Sequence, residues 1–142
     1  MVKEFENKKE WALIIGGSTG LGLATAKKLA KHGMNICIIH RNSRSQLDQI
    51  EKDFKEITED SVAFISYNTD AFHSEKRTEL IENLKKELEG GKIKILVHSI
   101  AKGNLKPMVS DSIPMLETDD FQLTIQAMGI SLYDWVKAIF EA

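Results

Sequence analysis

Four short apolar runs, at residues 12–15, 36–39, 62–65 and 93–97, alternate with longer stretches in which apolar residues recur every three or four positions. The runs read as strands, and three of them are almost wholly apolar, which suits strands covered on both faces. The spacing predicts a first helix over 21–32, ended by Gly33. Leu47, Ile50, Phe54 and Ile57 predict a second, with Ser45 and Asp48 in capping-box positions. Leu80, Ile81, Leu84 and Leu88 predict a third after Ser74, stopped by Gly90 and Gly91. Both prolines, Pro107 and Pro114, fall within 102–117 and predict an irregular loop after the fourth strand. Beyond it Phe121, Ile125, Met128, Leu132, Trp135 and Ile139 step by four and three, widened by Val136 and Phe140. That last helix is expected to need apolar cover on a broad face. Regular alternation of strand and helix implies right-handed crossovers and a parallel sheet, an α/β fold.

Composition narrows the class. A chain of 142 residues is the size of one domain. With 42% hydrophobic residues it can bury a core, roughly 70% of the surface its unfolded chain exposes. Nineteen basic residues against 21 acidic give a net charge of −2, which argues against a nucleic-acid or anionic-membrane partner. One cysteine excludes an intrachain disulfide framework and a zinc ribbon. No apolar run approaches the ~20 residues of a membrane span, and the charged stretch 1–10 lacks the apolar core of a signal peptide. The expectation is a soluble, cytoplasmic protein.

The strongest chemical signal lies between the first strand and the first helix, in Gly16-Gly17-Ser18-Thr19-Gly20-Leu21-Gly22. Glycines let the backbone turn sharply and approach a ligand. A helix that begins there aims free N–H groups and the positive end of its dipole at an anion. Ser18 and Thr19 add hydroxyl donors. A Walker loop fails because no Gly-Lys-Ser/Thr follows, and the ordinary dinucleotide fingerprint fails because Thr25 stands where its last glycine belongs. Glycines at the first, fifth and seventh positions, Gly16, Gly20 and Gly22, fit a dinucleotide turn. A tight connection with no ligand is the bland alternative, and four glycines in seven residues exceed what it requires. About 20 residues on, where an NAD-binding fold offers Asp or Glu to the ribose, the chain has His40-Arg41-Asn42-Ser43. A guanidinium pairs with a 2′-phosphate through two bonds, so NADP(H) is favoured over NAD(H). Arg44 could share the role, and a solvated surface arginine is the competing reading of Arg41.

With these residues in place, the chain from Trp11 to its end resembles the short-chain dehydrogenase/reductase family. The resemblance implies a Rossmann-like doubly wound parallel sheet in three α/β/α layers, truncated after about four strand-helix units, so that 1–142 forms a single incomplete dinucleotide-binding domain. Asn68-Thr69-Asp70-Ala71 resembles the family's Asp-plus-small-residue pair, which implies that Asp70 and Ala71 hold the adenine; a turn or helix-capping carboxylate is nearly as good an account of Asp70. His98-Ser99-Ile100-Ala101 replaces the usual Asn-Asn-Ala-Gly and looks like the divergent enoyl-acyl-carrier-protein reductase branch, whereas the glycine turn resembles the conventional one. Ser99, Ile100 and Ala101 would face the nicotinamide side. His98 reads as a packed histidine more readily than as a catalytic group or ligand, and no metal site is expected. The implied chemistry is hydride transfer from NADPH to a carbonyl or an enoyl thioester, with a tyrosine as acid beside a lysine that lowers its pKa.

Tyr133 and Lys137 have the family's spacing, but Ala101 to Tyr133 is only 32 positions and contains no fifth strand. Asp120 stands where the upstream serine would fall, and Met128 where conventional members carry an asparagine. No catalytic residue is therefore assigned. The expectation is an amino-terminal piece of a reductase that acts on a small-molecule substrate; the alternatives are a natural short form that binds NADP(H) without turnover and, distantly, a flavodoxin-like or response-regulator domain. In the expected strand order, three-two-one-four, the fourth strand is an open edge. The resemblance implies that the 121–140 helix packs against its counterpart in a dimer, its stripe serving both core and interface, so self-association is expected through that helix or the 93–97 edge.

Overall fold

The computed structural model describes residues 3–142. They form two compact units, one running to Ser99 and the other spanning Ile100–Glu141.

In the first unit, β1 (Glu10–Ile15), β2 (Asn35–His40), β3 (Phe64–Asn68) and β4 (Lys92–His98) alternate with α1 (Gly20–Lys31), α2 (Arg44–Thr58) and α3 (Ser74–Glu87). All strand pairs are parallel, in the order β3-β2-β1-β4. This is the Rossmann-like α/β fold, with the strand order the alternation predicts. Side chains alternate across a strand, and both faces of the central strands are dry. Ala12, Ile14, Ile36 and Ile38 meet Ala26 and Ala30 of α1 and Ile50, Phe54 and Ile57 of α2 in one buried cluster. Leu13, Ile15, Cys37 and Ile39 point the other way and are equally buried. Burial of such a side chain contributes about 1.5–3 kcal/mol, so the two central strands dominate the core. Helix α3 adds buried Leu80, Ile81 and Leu84 and is tied to β3 by the Tyr67 hydroxyl, which donates to Glu87 at 2.9 Å.

The start of β3 and the cap of α2 differ from the sequence reading. β3 begins two residues later than the run at 62–65, because Asn35 Oδ1 takes the Ala63 N–H at 3.0 Å just outside the strand. β3 lies at one end of the sheet, with Phe64, Ile65 and Tyr67 half-buried and Ser66 and Asn68 exposed. The cap of α2 is Ser43 with Gln46, not Ser45 with Asp48: Gln46 Oε1 accepts from the Ser43 N–H at 3.0 Å and from its hydroxyl at 3.1 Å.

The second unit opens with irregular chain and continues as α4 (Thr118–Ile125), a π-helical turn (Gln126–Ile130) and α5 (Ser131–Phe140). Here the predicted apolar stripe is corrected. Asp120, Ala127, Ser131 and Trp135 are the buried positions, whereas Phe121, Ile125, Met128, Leu132 and Val136 are exposed. Of the predicted stripe, Trp135 is fully buried and Ile139 half-buried.

Candidate functional site

The hydrogen-bond ladder runs past the carboxyl ends of the strands. The Gly16 N–H donates to Ile39 O at 2.8 Å, Thr69 N–H to His40 O at 2.8 Å and Ser99 N–H to Ile15 O at 2.8 Å. These bonds place the glycine turn, the segment after β2, the segment after β3 and Ser99 along one edge of the sheet. The sequence assigned its candidate residues to that edge. Ile100 and Ala101 begin the second unit, where Ile100 is half-buried and Ala101 exposed.

The turn is shaped by what its glycines permit. A Cβ on Gly22 would lie 2.3 Å from Gly16 O and 3.0 Å from Gly17 Cα, so the first turn of α1 closes onto the turn before it only without a side chain. Gly20 has φ +56 and nothing within 4 Å of a Cβ: its left-handed backbone needs glycine, and the space beside it is open. Thr19, just before α1, is exposed, as is Leu21 at 83%, whereas Ser18 is buried. The first N–H groups of α1 thus start at an open face, with no acidic residue in the first turn to oppose an anion. Thr25 returns its hydroxyl to Leu21 O at 2.8 Å, which accounts for its place in the helix without a ligand.

The segments after β2 and β3 are clasped together. Asn42 N–H donates to Asn68 Oδ1 at 3.0 Å, and Asn68 Nδ2 donates back to Asn42 O at 3.1 Å. Asn42 Oδ1 also lies 2.9 Å from His40 Nδ1. Burial holds His40 below the ordinary histidine range, with the Asn42 bond acting against it, and its ring stands edge-on to Phe54 at 5.5 Å. Arg41 reaches across to Asp70, whose Oδ2 accepts from a guanidinium nitrogen at 3.0 Å. Asp70 Oδ1 accepts from the Phe72 N–H at 2.9 Å, so the carboxylate also serves as a turn residue. Ala71 is buried. Asn42 and Ser43 therefore carry structural duties, the clasp and the α2 cap, while the Arg41 side chain remains 70% exposed. Asn68 was not singled out as a site residue by the sequence, because its partner is 26 positions away.

Burial lowers the pKa of half-buried His98, with a backbone hydrogen bond acting against it. Among the described residues no group of three or more His, Cys, Asp or Glu could hold a metal ion. The second unit has its own polar centre, in which Asp120 accepts from Asn104 Nδ2, from Lys106 Nζ at 2.9 Å and from the Glu117 N–H at 2.9 Å. These bonds, the backbone one foremost, draw its carboxyl down to about 2. Glu117 and Asp120 stand three apart, the local signal that could have marked this cap. Tyr133 is exposed, and Lys137 lies 3.9 Å from Glu141 rather than serving a tyrosine. Met128 falls inside the π turn.

The arrangement fits a phosphate-bearing dinucleotide on this chain's own terms: an open helix start, a turn passable only to glycine, and a cation at the end of the neighbouring strand. Comparison with known proteins agrees at the level of fold and family. The human very-long-chain 3-oxoacyl-CoA reductase is 32% identical over 108 residues, 76% of this chain and 32% of that protein. The chain spans about a third of the length of the curated relatives it matches. A short-chain type dehydrogenase/reductase from Mycobacterium marinum superposes with a TM-score of 0.77 at 21% identity, covering 100% of this chain and 54% of that one. An NAD+-bound xylitol dehydrogenase gives 0.75 at 23% identity, over 94% of this chain and 48% of that one. A family model described as short chain dehydrogenase matches residues 10–142, and the chain belongs to that family of oxidoreductases.

Proposed function

We propose that this chain is the dinucleotide-binding part, one incomplete domain, of a reductase that takes NADP(H) in preference to NAD(H). The observation that carries the reading is the open start of α1 at Gly20 on the same sheet edge as the exposed guanidinium of Arg41. The proposed contacts are Gly16, Ser18, Thr19, Gly20, Leu21 and Gly22 for the pyrophosphate, Arg41, Asn42 and Ser43 for the 2′-phosphate, and Asp70 and Ala71 for the adenine. Ser99, Ile100 and Ala101 are proposed for the nicotinamide side. The bound dinucleotide supplies the hydride, and the residues here bind and orient it.

For the whole protein we propose reduction of an acyl thioester. The name shared by the curated relatives favours a 3-oxo carbonyl over the enoyl group that His98-Ser99-Ile100-Ala101 implies. A cytoplasmic location and self-association through the exposed face of α4 and α5 or the β4 edge belong to the same reading. Calorimetric titration tests the cofactor preference: Arg41→Ala weakens NADPH binding on the order of tenfold, the loss of one charge-assisted hydrogen bond at an exposed site, and leaves NADH unchanged. Equal losses for both sink the assignment. The second reading is a module that binds NADP(H) without turnover; NADPH consumption by the whole protein in the presence of a 3-oxoacyl thioester decides between the two.

A further inference from the structure

Arg41 and Asp70 are two of the proposed cofactor contacts, yet they are bonded to each other. The loops that carry them are fixed on both sides, by the Asn42–Asn68 clasp and by Thr69 N–H to His40 O. The Phe72 N–H holds one oxygen of Asp70 and leaves the other turned to the guanidinium. The pair is therefore a built feature of this sheet edge.

We propose that Asp70 sets cofactor specificity by working through Arg41: its carboxylate lowers the preference for a 2′-phosphorylated adenosine nucleotide. The inference rests on the reading of Arg41 given above. Two effects act in the same direction. A guanidinium nitrogen engaged by Asp70 is withdrawn from the two-bond fork that Arg41 could offer a phosphate. A second negative charge also stands beside that phosphate and repels it. A 2′-hydroxyl carries no charge, so the unphosphorylated nucleotide feels little of either. Arg41 is 70% exposed and Asp70 30%, so solvent and salt screen the interaction and its effect is about two- to fivefold.

The test uses Asp70→Asn, which keeps an oxygen for the Phe72 N–H and removes the charge. The protein is titrated with adenosine 2′,5′-bisphosphate and with AMP, which probe the adenosine half alone, at low and at high salt. The expected result is a rise of about two- to fivefold in the ratio of the two affinities, smaller at high salt and reduced to the direct repulsion alone when Arg41→Ala is also present. A merely structural role for Asp70 would move both affinities together and leave the ratio where it was. A ratio unchanged or lowered overturns the inference. If Arg41→Ala by itself leaves the ratio unchanged, or the unmodified protein binds neither nucleotide, the reading of the site falls and takes this inference with it. An Arg41 effect without an Asp70 effect overturns this inference alone.

Discussion

Gly22→Ala tests the turn most directly. The added methyl would stand 2.3 Å from Gly16 O and 3.0 Å from Gly17 Cα, both backbone atoms, so no side-chain rotation can relieve the contact. Overpacking of this kind costs about 1–3 kcal/mol, and rigid backbone neighbours place it toward the upper end. Alanine in place of glycine returns about 1 kcal/mol of helix propensity in α1. The net expectation is a loss of about 1–2 kcal/mol. For a chain of this size that corresponds to a fall in Tm of about 3–6 °C. Urea denaturation followed by circular dichroism reads the change as a lower midpoint at constant slope. Gly20→Ala is the control: its methyl meets nothing within 4 Å, and its penalty comes from φ +56, about 1–2 kcal/mol for an alanine held in the left-handed region. The two variants therefore share a stability loss of similar size, but only Gly20→Ala puts a methyl on the open face. It should weaken NADPH binding beyond what its lost stability explains. A Gly22→Ala protein as stable as the parent would refute the steric account, because the turn would then have room the structure denies it.

Ile38→Ala removes a fully buried side chain between two helices and should cost about 2–5 kcal/mol by denaturant titration. Gln46→Ala removes the acceptor for the Ser43 N–H and hydroxyl; it should cost about 0.5–2 kcal/mol and raise hydrogen exchange in the first turn of α2 before the rest of that helix. The carboxyl of Asp120 is drawn from 3.8 down to about 2, so its stabilisation is fully present above the unfolded value and is lost as pH falls through the folded one. Asp120→Asn should flatten the acid side of the stability curve between about pH 4 and pH 2, and an unchanged curve would remove Asp120 from the account.

Local pattern by itself determined the order and type of the elements, the parallel sheet and the glycine turn, because each depends on residues within one turn or one strand of each other. The apolar runs at 12–15 and 36–39 lie inside β1 and β2, and both are buried because both faces of the sheet are covered. Tertiary structure decided the rest. Arg41 and Asp70 stand 29 positions apart, Asn42 and Asn68 26 apart; only the adjacency of β2 and β3 turns two candidate contacts into an ion pair and brings an unsuspected asparagine to the site. The rhythm through 121–139 is real as a count, but what packs on the helix decides which face is covered: Asp120, Ala127, Ser131 and Trp135 are buried, and of these only Trp135 belongs to the predicted stripe. Spacing along a chain specifies that a helix has an apolar face but not what covers it, and partners across a sheet exist only after the strands have met.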